Sequence, residues 1–493
     1  MSSSDIHLSS DFPPAPARVF CIGIGGIGVS GLAQLLVSQG YSVAGSDRGL
    51  DDSSKAHLYG KLQVQGIRLY PQDGSGISAE HPDVLVISAA VEAGNPDLRA
   101  AEGIPVVHRA RALAQTLDRT GAIQIAIAGT CGKTSVTGWI ADALHQLGHR
   151  IVMVNGGYCL DAESASLPGN YFADPNPEFT VAEIDESDKS LSVFTPDFGV
   201  LLNIGNDHYS IDELQDVFRG FLSKCSRGIT VLNELKELAS NCSVPISTFA
   251  PEVQDKAIPL RDNSWPGSRF VFDHLISQDK AVSPRGYSSD ASGITFSAGD
   301  DITIHSSQSG RHSALNACAV FALLKQLPIN ASDQELAAAI GHFGGIRQRF
   351  EVVGKNANGI PVVNDYAHNP EKLEAAIAAA HERFGSPILA IFQPHGFQPL
   401  RNMREPLSQM LPDMLQSGDQ LLLLPVFYAG GTAAFSPTSN EVADEFKRLG
   451  LPVEAVSRED ARTIADTVAD ASCILVMGAR DASLRTWSIE MTK

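Results

Sequence analysis

A glycine-rich segment that contains a lysine and a threonine could bind the phosphates of a nucleotide. Gly129–Thr134 reads G-T-C-G-K-T, directly after the apolar stretch Ile123–Ala128 and before a helical pattern. In such a loop, backbone N–H groups surround phosphate oxygens, the Lys133 ammonium neutralises the terminal phosphates, and the Thr134 hydroxyl coordinates Mg²⁺. The strict phosphate-loop pattern has glycine where this sequence has Ile127, so the motif is a shortened variant. It predicts a nucleoside triphosphate site.

A second glycine-rich segment could bind a diphosphate. Gly23–Gly28 reads G-I-G-G-I-G between the strand-like Val19–Ile22 and a helical pattern, where glycines let a pyrophosphate approach a helix N-terminus. Asp47 ends the next predicted strand, close to where dinucleotide-binding folds place a ribose-binding carboxylate. The spacing leaves three interpretations open: a nicotinamide dinucleotide site, a site for another diphosphate, or a structural tight turn.

Two polar clusters follow predicted strands of the unit that contains the lysine loop. Glu183–Asp188 reads E-I-D-E-S-D, and Asn206–His208 reads N-D-H. Oxygen ligands beside a phosphate loop suit Mg²⁺, which is a hard cation. Each cluster alone is also typical of a solvated loop or of a structural histidine. Their shared position after strands favours a metal site.

Two further clusters flank the start of the last third of the sequence, Arg347–Glu351 and Asp365–Pro370. An arginine there could reach the γ-phosphate from a second domain, and an aspartate at a strand end could hold ribose hydroxyls. Surface charge and a turn explain the same residues equally well. The spacing does not decide between these interpretations.

The composition excludes several classes of protein. Hydrophobic residues make up 43% and charged residues 19% of the 493 residues, which excludes a wholly disordered chain. With 37 Lys plus Arg against 56 Asp plus Glu and no basic cluster, the net charge of −19 argues against nucleic-acid or membrane binding. Seven cysteines without a C-x-x-C pair, no signal-peptide pattern and only strand-length apolar runs predict a reduced, cytoplasmic protein.

The elements that must position these motifs form three α/β units in series. The predicted organisation is a flexible tail over 1–17, a Rossmann-like domain over 18–119, a central P-loop domain over 120–328 and a second Rossmann-like domain over 329–493. Residues 251–310 are rich in Ser, Asp, Gly and Pro and contain short alternating pieces. They predict a small antiparallel part beside the parallel sheet of the central domain.

Taken in order, the motifs resemble the Mur ligase family, the ATP-dependent ligases that assemble peptidoglycan precursors. The resemblance runs from about residue 18 to the C-terminal end of the sequence. It is closest to the branches that join L-alanine or a murein tripeptide to UDP-N-acetylmuramate. The segments that carry it are Gly23–Gly31, Val86–Ala90, Ile104–Ala110, Ile127–Thr134, Ala182–Asp188, Asn203–His208, Gly310–Ala317, Phe343–Phe350, Asn364–Pro370 and Phe392–His395.

The resemblance implies roles for individual residues. Catalytic roles are implied for Lys133, His208 and Arg349, and Mg²⁺ ligation for Thr134, Glu186 and His208. ATP contacts are implied for Gly129, Thr130, Cys131, Gly132, Lys133, Thr134, Ser135, Asn316, Arg349, Asp365, Tyr366 and His368. A UDP-sugar, instead of NAD, is implied at Gly25, Gly26, Ile27, Gly28, Ser30, Asp47, Ser88 and Ala89. The incoming amine is implied to lie near His368, His395, Arg401 and Arg404.

Several positions depart from these branches of the family. Cys131 replaces a usual histidine, Ser313 replaces an asparagine, and Asn369 replaces the second histidine of an H-H-P pattern. After F-Q-P-H, the alanine-adding branch has arginines that hold the amino acid, whereas this sequence continues with Gly396–Leu400. Glycine or proline cannot replace a bidentate arginine–carboxylate contact.

The implied reaction is ATP-dependent amide formation between UDP-N-acetylmuramate and an amino acid, with L-alanine favoured, through an acyl phosphate. The alternatives are recycling of a murein tripeptide or a different amine acceptor. Two other classes stay open: an oxidoreductase based on Gly23–Gly28 alone, and a Mur-like paralogue without ligase activity, suggested by Cys131 and Ser313. The sequence does not indicate an oligomeric state.

Overall fold

The computed structural model describes residues 8–52, 55–185, 190–205, 211–251, 281–299, 302–428 and 435–493. Glu186, His208 and the strand-like piece Arg269–Phe272 lie outside these ranges. Within them the chain forms four sheets, of five, seven, three and six strands. The prediction of an α/β protein with mostly parallel sheets and one small antiparallel sheet is confirmed.

The first sheet is fully parallel and consists of βα repeats. Its elements are β1 (Arg18–Ile22), α1 (Ile27–Ser38), β2 (Ser42–Ser46), α2 (Ala56–Val64), β3 (Arg68–Tyr70), α3 (Ser75–Glu80), β4 (Val84–Ile87), α4 (Pro96–Ala100), β5 (Val106–His108) and α5 (Arg109–Asp118). The strand order β3-β2-β1-β4-β5 reverses direction between β1 and β4. In open α/β sheets, ligands bind beyond the carboxyl ends of the strands at such a reversal. The glycine-rich loop after β1 occupies that place.

The segment before β1 differs from the predicted flexible tail, because residues 8–17 pack against the first domain. Phe12 is 2% exposed, and its ring centroid lies 5.5 Å from that of Tyr41. Arg119, at the end of α5, donates a 2.5 Å hydrogen bond to Phe12 O. A single buried aromatic in a Ser- and Pro-rich stretch produces no periodic pattern, so the sequence does not reveal this packing.

The second sheet contains the lysine loop at its centre. The elements of this part are β6 (Ile123–Ala128), α6 (Lys133–Gln146), β7 (Ile151–Val154), β8 (Tyr171–Ala173), β9 (Phe179–Glu183), β10 (Phe198–Leu201), α7 (Ile211–Leu222), β11 (Gly228–Leu232) and β12 (Ile246–Phe249), with 3₁₀ turns at Ser190–Val193 and Asn233–Ala239. The strand order is β12-β11-β10-β6-β9-β7-β8, and β8 pairs antiparallel with β7. The loop after β6 therefore lies between the ends of β9 and β10.

A small antiparallel sheet and two helices complete the middle part of the chain. The sheet has the order β13-β14-β15, with β13 (Arg285–Asp290), β14 (Gly293–Ser297) and β15 (Thr303–Ser306). It is followed by α8 (Arg311–Leu324) and α9 (Asp333–His342). The indole of Trp139 on α6 donates to Ile340 O on α9 at 2.7 Å and stacks on Phe343. These contacts fix α6, and with it the lysine loop, against the following helices.

The fourth sheet forms the C-terminal part. Its elements are β16 (Glu351–Lys355), β17 (Pro361–Asp365), α10 (Pro370–Phe384), β18 (Ile388–Gln393), α11 (Phe397–Met414), β19 (Gln420–Leu423), α12 (Ser439–Arg448), β20 (Val453–Ala455), α13 (Arg458–Thr467), β21 (Cys473–Gly478) and α14 (Ser483–Glu490). The strand order is β16-β17-β21-β18-β19-β20, and β16 runs antiparallel to β17. The last strand in sequence, β21, therefore lies between β17 and β18.

The first three sheets share one apolar core, whereas the C-terminal sheet has cores of its own. One continuous core cluster contains residues of the first, second and third sheets, from Phe12 to Ile346. The C-terminal sheet has its own clusters on its two faces, one containing Phe392 and the other Ile391. None of the helices in the described part of the chain has the length and apolar character needed to cross a bilayer.

Candidate active site

The loop between β6 and α6 depends on glycine at two positions. Gly129 and Gly132 have φ values of 133° and 86°, which L side chains rarely adopt. A Cβ on Gly129 would lie 3.1 Å from Asn203 N, so this position has no room for a larger residue. Gly132 caps α6 without a side-chain hydrogen bond. The first N–H groups of α6 therefore present partial positive charge to the loop.

Asn203 holds this loop against the end of β10. Its Oδ1 accepts from Cys131 N at 2.8 Å, and its Nδ2 donates to Cys131 O at 2.9 Å. Thr130 N donates to Asn203 O at 3.2 Å, and Gly205 N donates to Thr130 Oγ1 at 2.9 Å. The loop is thus ordered by protein contacts alone. This role of Asn203 was not predicted, although Asn203 begins the segment Asn203–His208 that carries part of the family resemblance.

Lys133 and the oxygen donors around it face the same space. The Lys133 ammonium donates to Gly129 O at 2.6 Å, which keeps its charge above the loop. Thr134 and Glu183 line the cavity beside it, and Glu183 Oε2 also accepts from Gly156 N at 2.8 Å. Hydroxyl and carboxylate oxygens are the donors that Mg²⁺ prefers. The described residues contain no group of three or more His, Cys, Asp or Glu arranged to hold a metal.

A cavity of about 310 Å³ lies between the lysine loop and the C-terminal sheet. The loop and the ends of β9 and β10 form one wall, α8 forms a second, and the start of the C-terminal part forms the third. The lining residues are Thr130, Cys131, Gly132, Lys133, Thr134, Ser135, Trp139, Glu183, Leu202, Asn203, Ile204, Gly205, Leu232, Glu234, Pro251, Gln308, Ser309, His312, Ser313, Leu315, Asn316, Arg349, Phe350, Asp365, Lys372, Ala375 and Ala376.

The cavity combines a cationic part with an apolar part. Lys133, Arg349 and Lys372 supply positive charge, and Leu202, Leu315 and the alanines of α10 supply apolar surface. A polyanionic phosphate chain and a flat aromatic base need these two kinds of surface. Burial lowers the pKa of His312 to about 4, so this imidazole is neutral at pH 7. The structure therefore brings together the predicted residues of the lysine loop, Asn316, Arg349 and Asp365.

Asp365 organises the backbone of the C-terminal wall. Its two oxygens accept from Phe350 N and Ala367 N, each at 2.7 Å. Burial raises the pKa of Asp365, and the Arg349 guanidinium and the two N–H groups act in the opposite direction. Phe350 has a φ of 47°, so Asp365 holds a backbone conformation that few non-glycine residues adopt. Arg349 lies over the ring of Tyr366, 5.4 Å from its centroid.

His368 and His395 form an edge-to-face pair beyond the cavity. Their ring centroids are 5.1 Å apart, and Tyr366 packs on His368 with centroids 5.5 Å apart. Burial lowers the pKa of His368 to about 4, helped by the charge of Lys372. Burial also lowers the pKa of His395, together with the charges of Arg480 and Lys372. Both imidazoles are therefore neutral at pH 7.

Helix α10 adds a residue that the sequence analysis missed. Asn369 caps the helix by accepting from Lys372 N at 2.9 Å, and Pro370 starts its first turn. Lys372 then lines the cavity. The departure from the H-H-P pattern at Asn369 thus keeps a helix cap. Asn369 precedes Lys372 by three residues, which is the spacing of an N-cap and the third helical residue. This spacing is the sequence signal that could have indicated the position of Lys372.

Arg401 and Arg404, the predicted acceptor-binding arginines, contact other groups. Arg401 donates to Ser436 O at 2.5 Å and to Gln398 Oε1 at 3.2 Å. Arg404 forms an ion pair with Glu445 at 3.2 Å. Both side chains lie on the exposed face of α11. The structure does not bring either arginine into contact with the His368–His395 pair in the described residues.

The glycine-rich loop after β1 is held by Asp47. Gly25 N and Gly49 N donate to its two oxygens at 2.8 Å, and Tyr59 donates at 3.0 Å. A Cβ on Gly25 would lie 2.5 Å from the Tyr59 hydroxyl, so only glycine fits. Asp47 thus maintains the loop. The predicted positions Gly26, Ile27 and Gly28 lie in the same turn and first helical residues.

The other predicted residues of this first site differ in exposure. Ser88 and Ala89 follow β4, the strand beyond the reversal. Ser88 is half-buried, and Ala89 is exposed. Ser30 is fully buried; it donates to Ile27 O and accepts from Asn170 at 2.9 Å. Ser30 therefore connects α1 to the middle domain. A role of these residues in UDP-sugar binding stays a prediction.

Comparisons with known proteins agree with this architecture. Three family models match the chain: the catalytic domain of the Mur ligase family at residues 18–120, the Mur ligase middle domain at 127–324 and the Mur ligase glutamate ligase domain at 348–480. A UDP-N-acetylmuramate–L-alanine ligase of Streptomyces griseus is 32% identical over 97% of both chains. The enzyme of the same name from Streptomyces avermitilis is 31% identical, also over 97% of both chains.

This chain belongs to the Mur ligase family.

Solved structures extend the likeness to the fold. The UDP-N-acetylmuramate–alanine ligase of Thermotoga maritima superposes with a TM-score of 0.74 at 23% identity, covering 96% of this chain and 98% of that one. A murein peptide ligase of Psychrobacter arcticus superposes with a TM-score of 0.62 at 20% identity, with the same coverage. The three-domain arrangement of this Mur ligase is therefore the arrangement of its structural relatives. The resemblance inferred from the sequence motifs is confirmed.

Proposed function

We propose that this Mur ligase joins the carboxylate of UDP-N-acetylmuramate to the amino group of L-alanine, with hydrolysis of ATP to ADP and phosphate. The relatives that are about 30% identical over nearly their whole length carry this activity in their names. The observation in the structure that supports it best is the cavity that the lysine loop shares with Arg349, Asp365 and Lys372. Such a site, built by two domains, suits phosphoryl transfer between substrates that bind on different domains.

ATP fits the cavity by charge and by shape. The N–H groups of the lysine loop and of the first turn of α6 would surround the phosphates, with Lys133 and Arg349 as counter-charges. The apolar surface next to Asn316 would hold the base, and Asp365 would lie near the ribose. UDP-N-acetylmuramate would bind at the carboxyl edge of the first sheet, where Gly25–Gly28 follow β1.

The reaction would proceed in two steps. The substrate carboxylate attacks the γ-phosphate, giving an acyl phosphate and ADP. The amine then attacks the acyl carbon, and phosphate leaves through a tetrahedral intermediate. Lys133 and Arg349 offset the charge of the transferring phosphoryl group. Because His368 and His395 are neutral, each can accept a hydrogen bond from the attacking amine. Water would destroy the acyl phosphate, so closure of the C-terminal domain over the cavity is required.

Mg²⁺ fits the donor set of the site. Thr134 and the predicted ligand Glu186 would hold one Mg²⁺, the predicted ligand His208 would hold a second, and Glu183 supplies a further carboxylate at the same edge. Bound there, Mg²⁺ would neutralise phosphate oxygens and lower the barrier to phosphoryl transfer. None of the seven cysteines forms a disulfide, which agrees with a reducing compartment, so we place the reaction in the cytoplasm.

A murein tripeptide is the second candidate acceptor. The absence of arginines directly after His395 and the likeness to a murein peptide ligase fold favour it. A tripeptide offers a free amine without requiring the same carboxylate contact next to that amine. The two acceptors therefore differ in the contacts that the His368–His395 pair must support.

A screen of ADP release tests the proposal. The enzyme is incubated with ATP, Mg²⁺ and UDP-N-acetylmuramate and with each amino acid or the murein tripeptide, and the product is identified by mass. We expect L-alanine-dependent ADP release and a product that is heavier by one alanyl residue. ADP release that never depends on an amine would favour a paralogue without ligase activity. A change in NADH absorbance would favour the oxidoreductase.

A further inference from the structure

The carboxyl edge of the C-terminal sheet carries three loops side by side. The residues of β17, β21 and β18 that pair in register there are Asp365, Met477 and Phe392. Three positions further along each segment come His368, Arg480 and His395. Because β21 lies between β17 and β18, Arg480 follows the middle strand and the two histidines follow its neighbours. Arg480 therefore lies the same number of residues beyond the edge of the sheet as His368 and His395 do.

Arg458 on α13 fixes the loops after β21 and β18 relative to each other. Its guanidinium donates to Asp481 Oδ2 at 2.9 Å and reaches Gln393 Oε1 at 3.5 Å. Asp481 directly follows Arg480, and Gln393 precedes His395 by two residues. The loops that carry Arg480 and His395 are therefore linked through the half-buried guanidinium of Arg458.

Arg480 has an unusual backbone conformation. Its φ is 68°, which glycine and asparagine adopt more readily than arginine. Its neighbours Ala479 and Asp481 are buried, whereas Arg480 itself is exposed. Strained residues of this kind cluster at binding and catalytic sites, where the surrounding structure enforces the conformation. Here the buried neighbours hold the backbone, and Arg480 is exposed at the carboxyl edge of the sheet.

His395, on the neighbouring loop, carries a polar atom that has no hydrogen-bond partner among the described residues. This atom is the buried Nδ1 of the imidazole. Buried polar atoms are normally paired, so an unpaired one at a sheet edge is a position for a ligand group. The charge of Arg480 acts on this same imidazole. A ligand that reaches His395 therefore also lies within the field of Arg480.

We propose that Arg480 binds the carboxylate of the incoming amino acid and so replaces the arginines that are absent after His395. The inference rests on the proposed function, because it assumes an acceptor with an α-carboxylate. A planar guanidinium binds a carboxylate through two parallel hydrogen bonds. Arg401 and Arg404 already contact Ser436 and Glu445, whereas Arg480 lies at the level of the histidines. The amine of the same amino acid would then face the neutral imidazoles.

The test compares Arg480→Gly with the wild type in the ligase assay, with L-alanine or L-alaninamide as acceptor. Glycine suits a φ of 68°, so the variant should fold at least as stably. We expect the KM for L-alanine to rise about 10- to 100-fold, the range of a charge-assisted hydrogen bond, with the KM for ATP unchanged. The wild type should prefer L-alanine to the amide, and the variant should lose that preference. Arg480→Lys should recover part of it.

Arg462→Ala is the matched control. This arginine belongs to the same domain but pairs with Asp466 on the surface of α13, so its loss should not alter any KM. An unchanged KM for L-alanine in Arg480→Gly, or a rise in Arg401→Ala instead, would overturn the inference while leaving the ligase function intact. A wild type that turns over with no amine would refute the proposed function and the inference with it. A wild type that uses only the murein tripeptide would refute L-alanine and this carboxylate contact together.

Discussion

Lys133 is the residue on which phosphate neutralisation in the middle domain depends. Its ammonium contacts Gly129 O at 2.6 Å and can turn to a phosphate at little cost, because the loop around it is already ordered. We expect Lys133→Ala to lower the rate of amide formation by about 10²–10³, as the loss of one charge-stabilising donor usually does. Steady-state ADP release measures this effect. The control is Lys325→Ala, since Lys325 is exposed and pairs with Asp333.

The metal ligands give a second prediction at the residue scale. Removing a predicted ligand with Glu186→Ala or His208→Ala should raise the Mg²⁺ concentration needed for half-maximal activity by about 10-fold or more. Binding of the UDP-sugar should be unaffected, because we place that site on the first domain. Titration of Mg²⁺ and calorimetry with UDP-N-acetylmuramate separate the two effects. Equal loss of UDP-sugar affinity would indicate misfolding or a mistaken site.

At this scale, residue type and local spacing predicted a phosphate site at Lys133 and Thr134, whereas the role of Arg349 was implied only by the family resemblance. Lys133, Thr134 and Arg349 belong to contiguous motifs, and the structure gathers Lys133, Thr134 and Arg349 in one cavity. Asn203 and Arg480 were missed, because their roles depend on which strands are neighbours in the sheets. Strand order is a long-range property that no local pattern encodes.

Among the elements, the connection between β10 and the lysine loop matters most for nucleotide binding. Asn203→Ala removes two hydrogen bonds to Cys131, each of which contributes about 1 kcal/mol net. We expect the KM for ATP to rise about 10-fold, because the nucleotide must then order the loop. Asn203→Asp keeps the acceptor for Cys131 N but sets a carboxylate oxygen against Cys131 O and adds negative charge beside the phosphates, so it should raise the KM for ATP at least as much. An unchanged KM for ATP in Asn203→Ala would show that the loop is rigid without this contact.

Some secondary-structure elements were predicted from the sequence, and others were not. Strands that enter glycine-rich loops were found, because an apolar run followed by glycine is a strong local signal. Helix α11 was not predicted, since Pro406 and Pro412 lie inside it. Its buried face, Leu400, Met403, Leu407, Leu411 and Met414, has helical spacing, and packing of that face outweighs the lost backbone hydrogen bonds.

For the whole molecule, Glu163 is the point where charges from all three parts meet. It accepts from Lys61 of the first domain at 2.8 Å and pairs with Arg347, which precedes the C-terminal sheet. Burial acts to raise the pKa of Glu163, but the hydrogen bonds from Lys61 and Arg347 outweigh it and lower the pKa to about 2. A carboxyl with a depressed pKa stabilises the folded state above its usual value of 4.5. This stabilisation is lost as the pH falls from about 4.5 to about 2.

Glu163→Gln should therefore destabilise the protein at neutral pH. We expect a loss of about 1–3 kcal/mol, below the value for a fully buried pair because the side chain is 24% exposed. Denaturant unfolding at pH 7 and at pH 3 measures it, and the difference from the wild type should shrink at the lower pH. Glu178→Gln, which removes an exposed partner of Arg150, should leave the free energy of unfolding nearly unchanged. A constant difference across pH would rule out this charge cluster as the cause.

The position of β21 also has a consequence for biosynthesis. Of the six strands in its sheet it is translated last, yet it separates β17 from β18. Until the ribosome has delivered it, the two halves of that sheet have no common partner, whereas the two preceding domains, which share a core, can already fold. The cavity between the lysine loop and the C-terminal sheet is therefore completed late, well after its lining residues Arg349, Asp365 and Lys372 have been synthesised. Nascent chains stalled before Cys473 should bind UDP-N-acetylmuramate at the site proposed on the first domain but lack a complete cavity beside the lysine loop.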